Sequence, residues 1–251
     1  MTPTAAKLYV IFGSHPCACV EAALQIKEVE YRRVELPTEF HRLYQRVRYG
    51  RPTVPGLTLG DGERLIGSVA ILRRLEELVP QPPLYPSDPE ARRRVESAEV
   101  WGEEVLQDAV RRIEVALLRR RPSAIQSYAE ASTLPIPRWL IRANAPIGVR
   151  LASRATGATD EAARADLRAL PGYLDRVDHL ITEGTIAGEG PNAADLQIGA
   201  SVRQLASMGD LTSLLTDRRT VALARHFPPM VGHIPTGTAP PEWLPAPTAA
   251  S

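Results

Sequence analysis

The stretch Leu8-Tyr9-Val10-Ile11-Phe12-Gly13-Ser14-His15-Pro16-Cys17-Ala18-Cys19-Val20 decides how the rest of the chain is read. Residues 8–12 are consecutive apolar residues rich in β-formers and end at Gly13, the pattern of a strand buried on both faces. Pro16 lies where a first helical turn tolerates a missing N–H, and Val20, Ala23, Leu24 and Val29 keep roughly helical spacing behind it, which predicts a helix to about Lys27. Further on, residues 30–36 alternate around Tyr31 and Val34 and stop at Pro37, and 39–47 suit a second short helix. Residues 56–59 and 63–66 flank Gly60-Asp61-Gly62, whose Asp-Gly pair favours a tight hairpin. From Ser68 the positions Val69, Leu72, Leu75 and Leu78 line one helical face that ends before Pro80. The order is βαβα followed by ββα within residues 1–80.

Pro80, Pro82, Pro83, Pro86 and Pro89 forbid regular structure between them, so 81–89 reads as a linker. Beyond it, Val95, Ala98, Trp101, Val105, Ala109, Ile113 and Ala116 step by three or four, as do Ala163, Leu167, Leu170, Leu174, Val177 and Ile181, so residues 90–226 form a helical domain. Asn192-Ala193-Ala194-Asp195 is a capping-box variant directly after Gly188, Gly190 and Pro191, predicting a buried helix from Asn192. Residues 227–251 hold seven prolines and read as an extended tail pinned by Met230, Ile234 and Trp243.

Of the 251 residues, 44% are hydrophobic and 24% charged, which excludes a chain too polar to fold. A net charge of +1 supplies no field for a phosphate backbone or an anionic bilayer, so neither nucleic acid nor membrane is an expected partner. No apolar stretch approaches the roughly 18–20 residues of a membrane span. Residues 8–12 are too brief for a signal-peptide core. Cys17 and Cys19 are the only cysteines and cannot staple distant segments, so a reducing, cytoplasmic setting is expected. Lys7 and Lys27 are the only lysines, and the arginine bias is that of a GC-rich genome. His15, Cys17 and Cys19 supply at most three metal ligands on elements that do not converge them, so no zinc site is expected. Gly184, Gly188 and Gly190 follow no strand, which excludes a dinucleotide loop. The arginines around Arg92, Arg111 and Arg119 share their helix with Glu96, Glu99, Glu103, Glu104 and Asp108, the pattern of a solvated face laced with opposite charges.

Four pieces in this order resemble the cytosolic glutathione S-transferases: the turn at residues 13–20, the step Val54-Pro55, Ser68-Val69-Ala70-Ile71-Leu72 opening a helix after the hairpin, and the box at 192–195. The resemblance spans roughly residues 7–210. It implies an α/β thioredoxin-like N-terminal domain followed by an all-α C-terminal domain, an active cleft faced by the helix that carries Trp101, Val105 and Asp108, and a homodimer. Within the family, Ser14-His15-Pro16-Cys17 is most similar to the theta-type arrangement, in which the serine is the catalytic hydroxyl. The cosubstrate implied is glutathione, attacking a small apolar electrophile. The resemblance also implies a cis Val54–Pro55 bond that presents the Val54 backbone to a peptide-like thiol, with Ser68 and its helix start holding a carboxylate. Arg51 and Thr53 are the nearest candidates for the glycyl carboxylate, and His15 is read as a solvent-edge residue of the same cosubstrate site. Gly67 departs from the family, which commonly has Glu, Gln or Asp there to hold the γ-glutamyl group. Either Ser68 suffices, or a helper comes from elsewhere, or the thiol is a different low-molecular-weight one.

The chemistry itself needs no family. Lowering a thiol pKa from ~8.5 to ~6.5 takes about 2.7 kcal/mol of preferential stabilisation of the thiolate. A hydroxyl donor supplies roughly 1.5–3 kcal/mol and a helix N-terminus about 0.3–1. Ser14 offers both, or else is only the cap of its helix. Cys17 stands at the second position of a C-x-x-C pattern whose first position is Ser14, which argues against a disulfide reductase. The rival to a transferase is a binding or scaffold protein that kept the fold and lost the chemistry.

Overall fold

In the computed structural model residues 6–245 are described; residues 1–5 of the expected first domain and 246–251 of the expected tail lie outside the described residues. The apolar run forms β1 (Ala6–Val10), with Leu8 and Val10 fully buried. Ile11 and Phe12 leave the sheet instead of extending it. Then come α1 (His15–Ile26), β2 (Tyr31–Glu35) and α2 (His41–Tyr49), followed by β3 (Gly56–Thr58), β4 (Arg64–Ile66) and α3 (Ser68–Leu78). The sheet order is β2-β1-β3-β4, with β1 parallel to β2, antiparallel to β3, and β3 antiparallel to β4. This is the expected thioredoxin-like domain.

Residues 81–88 carry no helix or strand, while Pro89, expected in the linker, opens the next helix because a first turn tolerates its missing N–H; the stretch is not a loose tether. Leu84 and Tyr85 are buried, the Leu84 amide donates to Glu76 and its carbonyl accepts from the Ala193 amide at 2.9 Å. Asp88 then caps α4 (Pro89–Trp101), accepting from the Glu90 and Ala91 amides. The helix runs on through a π-helical segment (Gly102–Gln107) into α5 (Asp108–Arg120). The 95–116 periodicity anticipated one long helix but not its widened middle.

Short α6 (Ile125–Ala129) leads to α7 (Arg138–Thr156), which the sequence reading did not anticipate, then α8 (Asp160–Thr182), α9 (Ala193–Ala206) and the single turn α10 (Thr212–Leu215). The C-terminal region is helical as expected. In α9 every residue from Ala193 through Val202 is buried, and its start is the predicted box: Asn192 Oδ1 accepts the Asp195 amide at 3.1 Å while Asp195 Oδ2 accepts the Asn192 amide at 2.9 Å. Arg112 and Asp166 form a two-bond ion pair, at 2.7 and 2.8 Å, between α5 and α8.

The tail is strapped down. The Gly209 and Ile234 amides exchange 2.8 Å bonds with the Ile234 and Ser207 carbonyls, and the Asp210 carboxylate accepts the amides of Gly237, Thr238 and Ala239. Trp243 is buried under the guanidinium groups of Arg120 and Arg164.

The charge-laced face needs one correction. Arg92–Glu96 and Arg94–Glu90 are exposed pairs as expected, but Glu99 of the same helix is fully buried. It accepts from the Tyr85 hydroxyl at 2.7 Å and faces Arg73, and burial pushes its carboxyl up to about 7. The i,i+4 pattern reports charge on a helix and not which neighbour covers it.

Candidate active site

Two features make the turn before α1. Gly13 has φ +70, a left-handed backbone that favours glycine, and a β-carbon there would sit 3.3 Å from the Tyr128 ring, a tight approach. Ser14 follows in extended geometry as the N-cap of α1, its Oγ accepting the Cys17 amide at a long 3.4 Å. Because the hydroxyl oxygen is the acceptor in that bond, its own proton is free to point elsewhere.

Ser14 opens into a cleft of about 370 Å³ between the two halves of the chain, a size that takes a small molecule. Thr53 and Val54 line it from the N-terminal domain; Ile11, Phe12, Val115, Leu118 and Ile125 form its apolar walls. Its polar floor comes from α5, where Asp108 pairs with Arg111 at 2.6 Å and Glu114 accepts a hydrogen bond from the Gln204 side chain. Burial pushes the Glu114 carboxyl up to about 8 against the opposing Gln204 bond and Arg111 charge. Asp108 and Arg111 were expected on a solvated charged face, and Glu114 was not singled out from sequence.

The expected site residues do not all converge. Ser14, His15, Thr53 and Val54 share the cleft, whereas Arg51, Pro55, Gly67 and Ser68 do not line it. His15 is not at the solvent edge: it is 3% exposed, with Nδ1 3.3 Å from Ser201 Oγ of α9 and Nε2 unpartnered among the described residues. Burial, with Arg111 nearby, holds its pKa well below the ordinary value, so it is neutral. A residue on the outward side of one domain is covered when the other packs on it, which its own sequence neighbours do not signal.

The Val54–Pro55 bond is cis, and the Pro55 carbonyl accepts the Gly67 amide at 3.0 Å. Val54 is buried and its carbonyl accepts from the Thr53 hydroxyl at 3.3 Å. Ser68 begins α3; its hydroxyl is buried and has no partner among the described residues, the mark of a polar atom awaiting one. Gly67, at φ +92, has no side chain, but Glu103 of the π-helical segment brings Oε1 to 3.9 Å from where a β-carbon on Gly67 would lie. Burial raises the Glu103 carboxyl pKa, with Glu104 adding to the rise and Arg51 and Arg111 opposing it. Glu103 was read as part of a solvated face; the π turn, a feature that often marks functional positions, aims it here.

Cys17 and Cys19 are both buried free thiols. Burial pushes the Cys17 thiol up to about 12, so it is no thiolate at neutral pH. Cys19 donates to Gln197 at 3.4 Å. No group of three or more potential metal ligands occurs among the described residues, and no described helix is long and apolar enough to cross a membrane.

Comparison with known proteins agrees with this architecture. Residues 8–83 match the family described as "Glutathione S-transferase, N-terminal domain". The chain is similar in structure to beta-etherase LigF from Sphingobium sp., at 21% identity and a TM-score of 0.64, covering 88% of this chain and 92% of that one. It is also similar to a glutathione S-transferase from Rhodospirillum rubrum (20% identity, TM-score 0.57, 86% and 89% covered). A third neighbour is a glutathione S-transferase from Methylobacterium radiotolerans in complex with glutathione sulfonate (18% identity, TM-score 0.54, 89% and 88% covered). No curated protein sequence is significantly similar. Residues 8–83 thus match a glutathione S-transferase N-terminal domain, and the chain as a whole shares the two-part fold of these structures.

Proposed function

We propose that the protein is a glutathione-dependent transferase in which Ser14 stabilises the thiolate. The observation that carries this reading is the Ser14 hydroxyl, bound as acceptor by its own helix start and therefore able to donate into the cleft. A thiol seated there also meets the positive end of α1. Its sulfur would stay anionic and attack an electrophile held against Ile11, Phe12, Val115 and Leu118. No step requires a metal or a redox change in the protein.

In this reading the cis Val54–Pro55 segment offers backbone to the peptide part of the thiol. Ser68 holds a carboxylate, and Glu103 takes the place of the acidic side chain missing at Gly67, receiving the γ-glutamyl ammonium. Arg51 and Thr53 stand at the glycyl end, and His15 orders the turn from beneath. The protein would act as a homodimer in the cytoplasm, as the family resemblance implies. The electrophile is small, and Asp108, Arg111 and Glu114 favour one with a polar end as well as an apolar body.

Gly67 keeps a second reading in play, a scaffold without chemistry or an enzyme using another thiol. Thermal unfolding with glutathione, cysteine and other small thiols separates these, because a ligand at 100 times its Kd adds about 2.7 kcal/mol to stability. The transferase reading expects a clear shift with glutathione and turnover of an activated aryl halide. A shift with another thiol alone moves the cosubstrate, and no shift with any thiol overturns the reading in favour of a scaffold.

A further inference from the structure

Helix α2 is built inside out. Its inward side is Gln45, fully buried with both amide atoms unpartnered among the described residues, while Phe40, Leu43 and Val47 are 67%, 66% and 80% exposed. With Tyr44 they occupy an arc of about 100° at 3.6 residues per turn, so this is a coherent apolar stripe and not scattered exposure. Helix α7 repeats the arrangement: Trp139 is 70% exposed and Ile147 and Leu151 at least half exposed on its outer side. The two stripes are neighbours, since Phe40 and Leu140 line one groove and Glu39 reaches Gly148. Eight of the eleven large apolar residues exposed among the described residues lie on or beside these two helices.

Charge is segregated in the same place. Neither α2 nor α7 contains an Asp or Glu, and Arg42, Arg46, Arg142, Arg150 and Arg154 are all exposed; Glu39, just before α2, is the acid between them. The chain as a whole carries only +1, so the remainder is net acidic and this face is the basic pole. The small net charge that argued against an anionic surface hid an uneven distribution.

We infer that the α2–α7 face docks onto the anionic interface of a phospholipid bilayer, with its apolar stripes among the acyl chains and its arginines at the headgroups. Exposed Trp, Phe and Leu flanked by arginine are what an interfacial helix presents, and the arginine stems can lie along apolar surface while their heads stay at phosphate level. Charge complementarity selects this occupant. A second copy meeting the same face in a two-fold contact would set arginines against arginines. Because α2 and α7 also border the cleft, docking brings the cleft mouth to the lipid, independently of any thiol chemistry.

Tryptophan emission tests this directly. Trp101 and Trp243 are buried, so a change in emission on binding comes from Trp139. Full-length protein is mixed with vesicles of equimolar phosphatidylglycerol and phosphatidylcholine, and with vesicles of phosphatidylcholine alone. The expected result is co-sedimentation and a blue shift with the first and at least about tenfold weaker binding to the second. R46E/R150E and L43S/V47S should each lose at least about tenfold in partitioning, and W139F should bind without the shift. Absence of binding to anionic vesicles overturns the inference, as does equal binding by R46E/R150E. A blue shift with rising protein concentration in the absence of vesicles assigns the face to a second copy and overturns it too. Retention on poly-glutamate with no vesicle response would assign it to an acidic protein instead.

Discussion

Glu103 and Gly67 face each other across the seam between the sheet domain and the helical region, the carboxylate oxygen 3.9 Å from where a β-carbon on the glycine would lie. One position has no side chain where another supplies a charge. If Glu103 receives the ligand ammonium, E103Q should weaken glutathione binding roughly ten- to a hundredfold, the worth of a charge-assisted hydrogen bond of about 1.5–3 kcal/mol. Calorimetry should find no such loss with a glutathione analogue that lacks the γ-glutamyl amine. Equal losses with both ligands would place Glu103 in structure and not in recognition.

In the proposed mechanism Ser14→Ala removes a donor to sulfur together with the helix cap, and the two effects separate in size. The capping bond is long, so the stability cost should sit near the low end of the usual range, about 0.5 kcal/mol. Turnover at neutral pH should fall at least tenfold and recover toward alkaline pH as the unassisted thiol ionises. Ultraviolet absorbance of bound thiolate against pH measures the shift; an unchanged profile removes Ser14 from the chemistry.

Glu114 predicts a stability that declines with pH. Its carboxyl is raised by burial from the ordinary 4.5 to about 8, so between those values the folded chain holds a proton that the unfolded chain has released. The associated stability is fully present below the lower value and lost as pH rises through the upper one. Discounted for the partial opening of Glu114 to the cleft, the effect is on the order of 1–3 kcal/mol. E114Q should therefore melt a few degrees above the native protein at pH above about 8 and show no gain at acidic pH. Parallel melting curves at every pH would sink the assignment.

Much of this was legible in the sequence, and the parts that were not share a cause. The strand before Gly13, the helix from Ser68 and the box at Asn192–Asp195 announce themselves through local patterns, each needing no partner outside its own segment. Helix α7 gave no such notice because its large apolar residues Trp139, Leu140, Ile147 and Leu151 face outward, its inward row is Ala145, Val149 and Ser153, mostly small, and Pro146 lies inside it. Glu99, Glu103, Glu114 and His15 were misread or passed over for another reason. Three are covered by residues outside their own helix, Glu114 by Gln204, His15 by Ser201 and Glu99 by Tyr85, and Glu103 is aimed toward Gly67 by the widened turn it sits in. Sequence spacing says which face of a helix is charged and leaves open what packs on it.

Arg112 and Asp166 offer a separate test of how α5 and α8 are held together. The pair makes two bonds and Asp166 is buried, so leaving either partner alone should cost more than removing both. Denaturant unfolding of R112A, D166A and the double variant should give a coupling of about 1–3 kcal/mol. Simple additivity would show that the helices rely on apolar packing alone.

The strap from Ile234 to Trp243 has a consequence for biosynthesis. Its bonds to Ser207, Gly209 and Asp210 reach back along the chain, and its tryptophan packs on Arg120 and Arg164, made much earlier on the ribosome. Helices α4 through α9 therefore emerge before the segment that closes them, and the nascent chain passes through an interval in which this seam is open to chaperones.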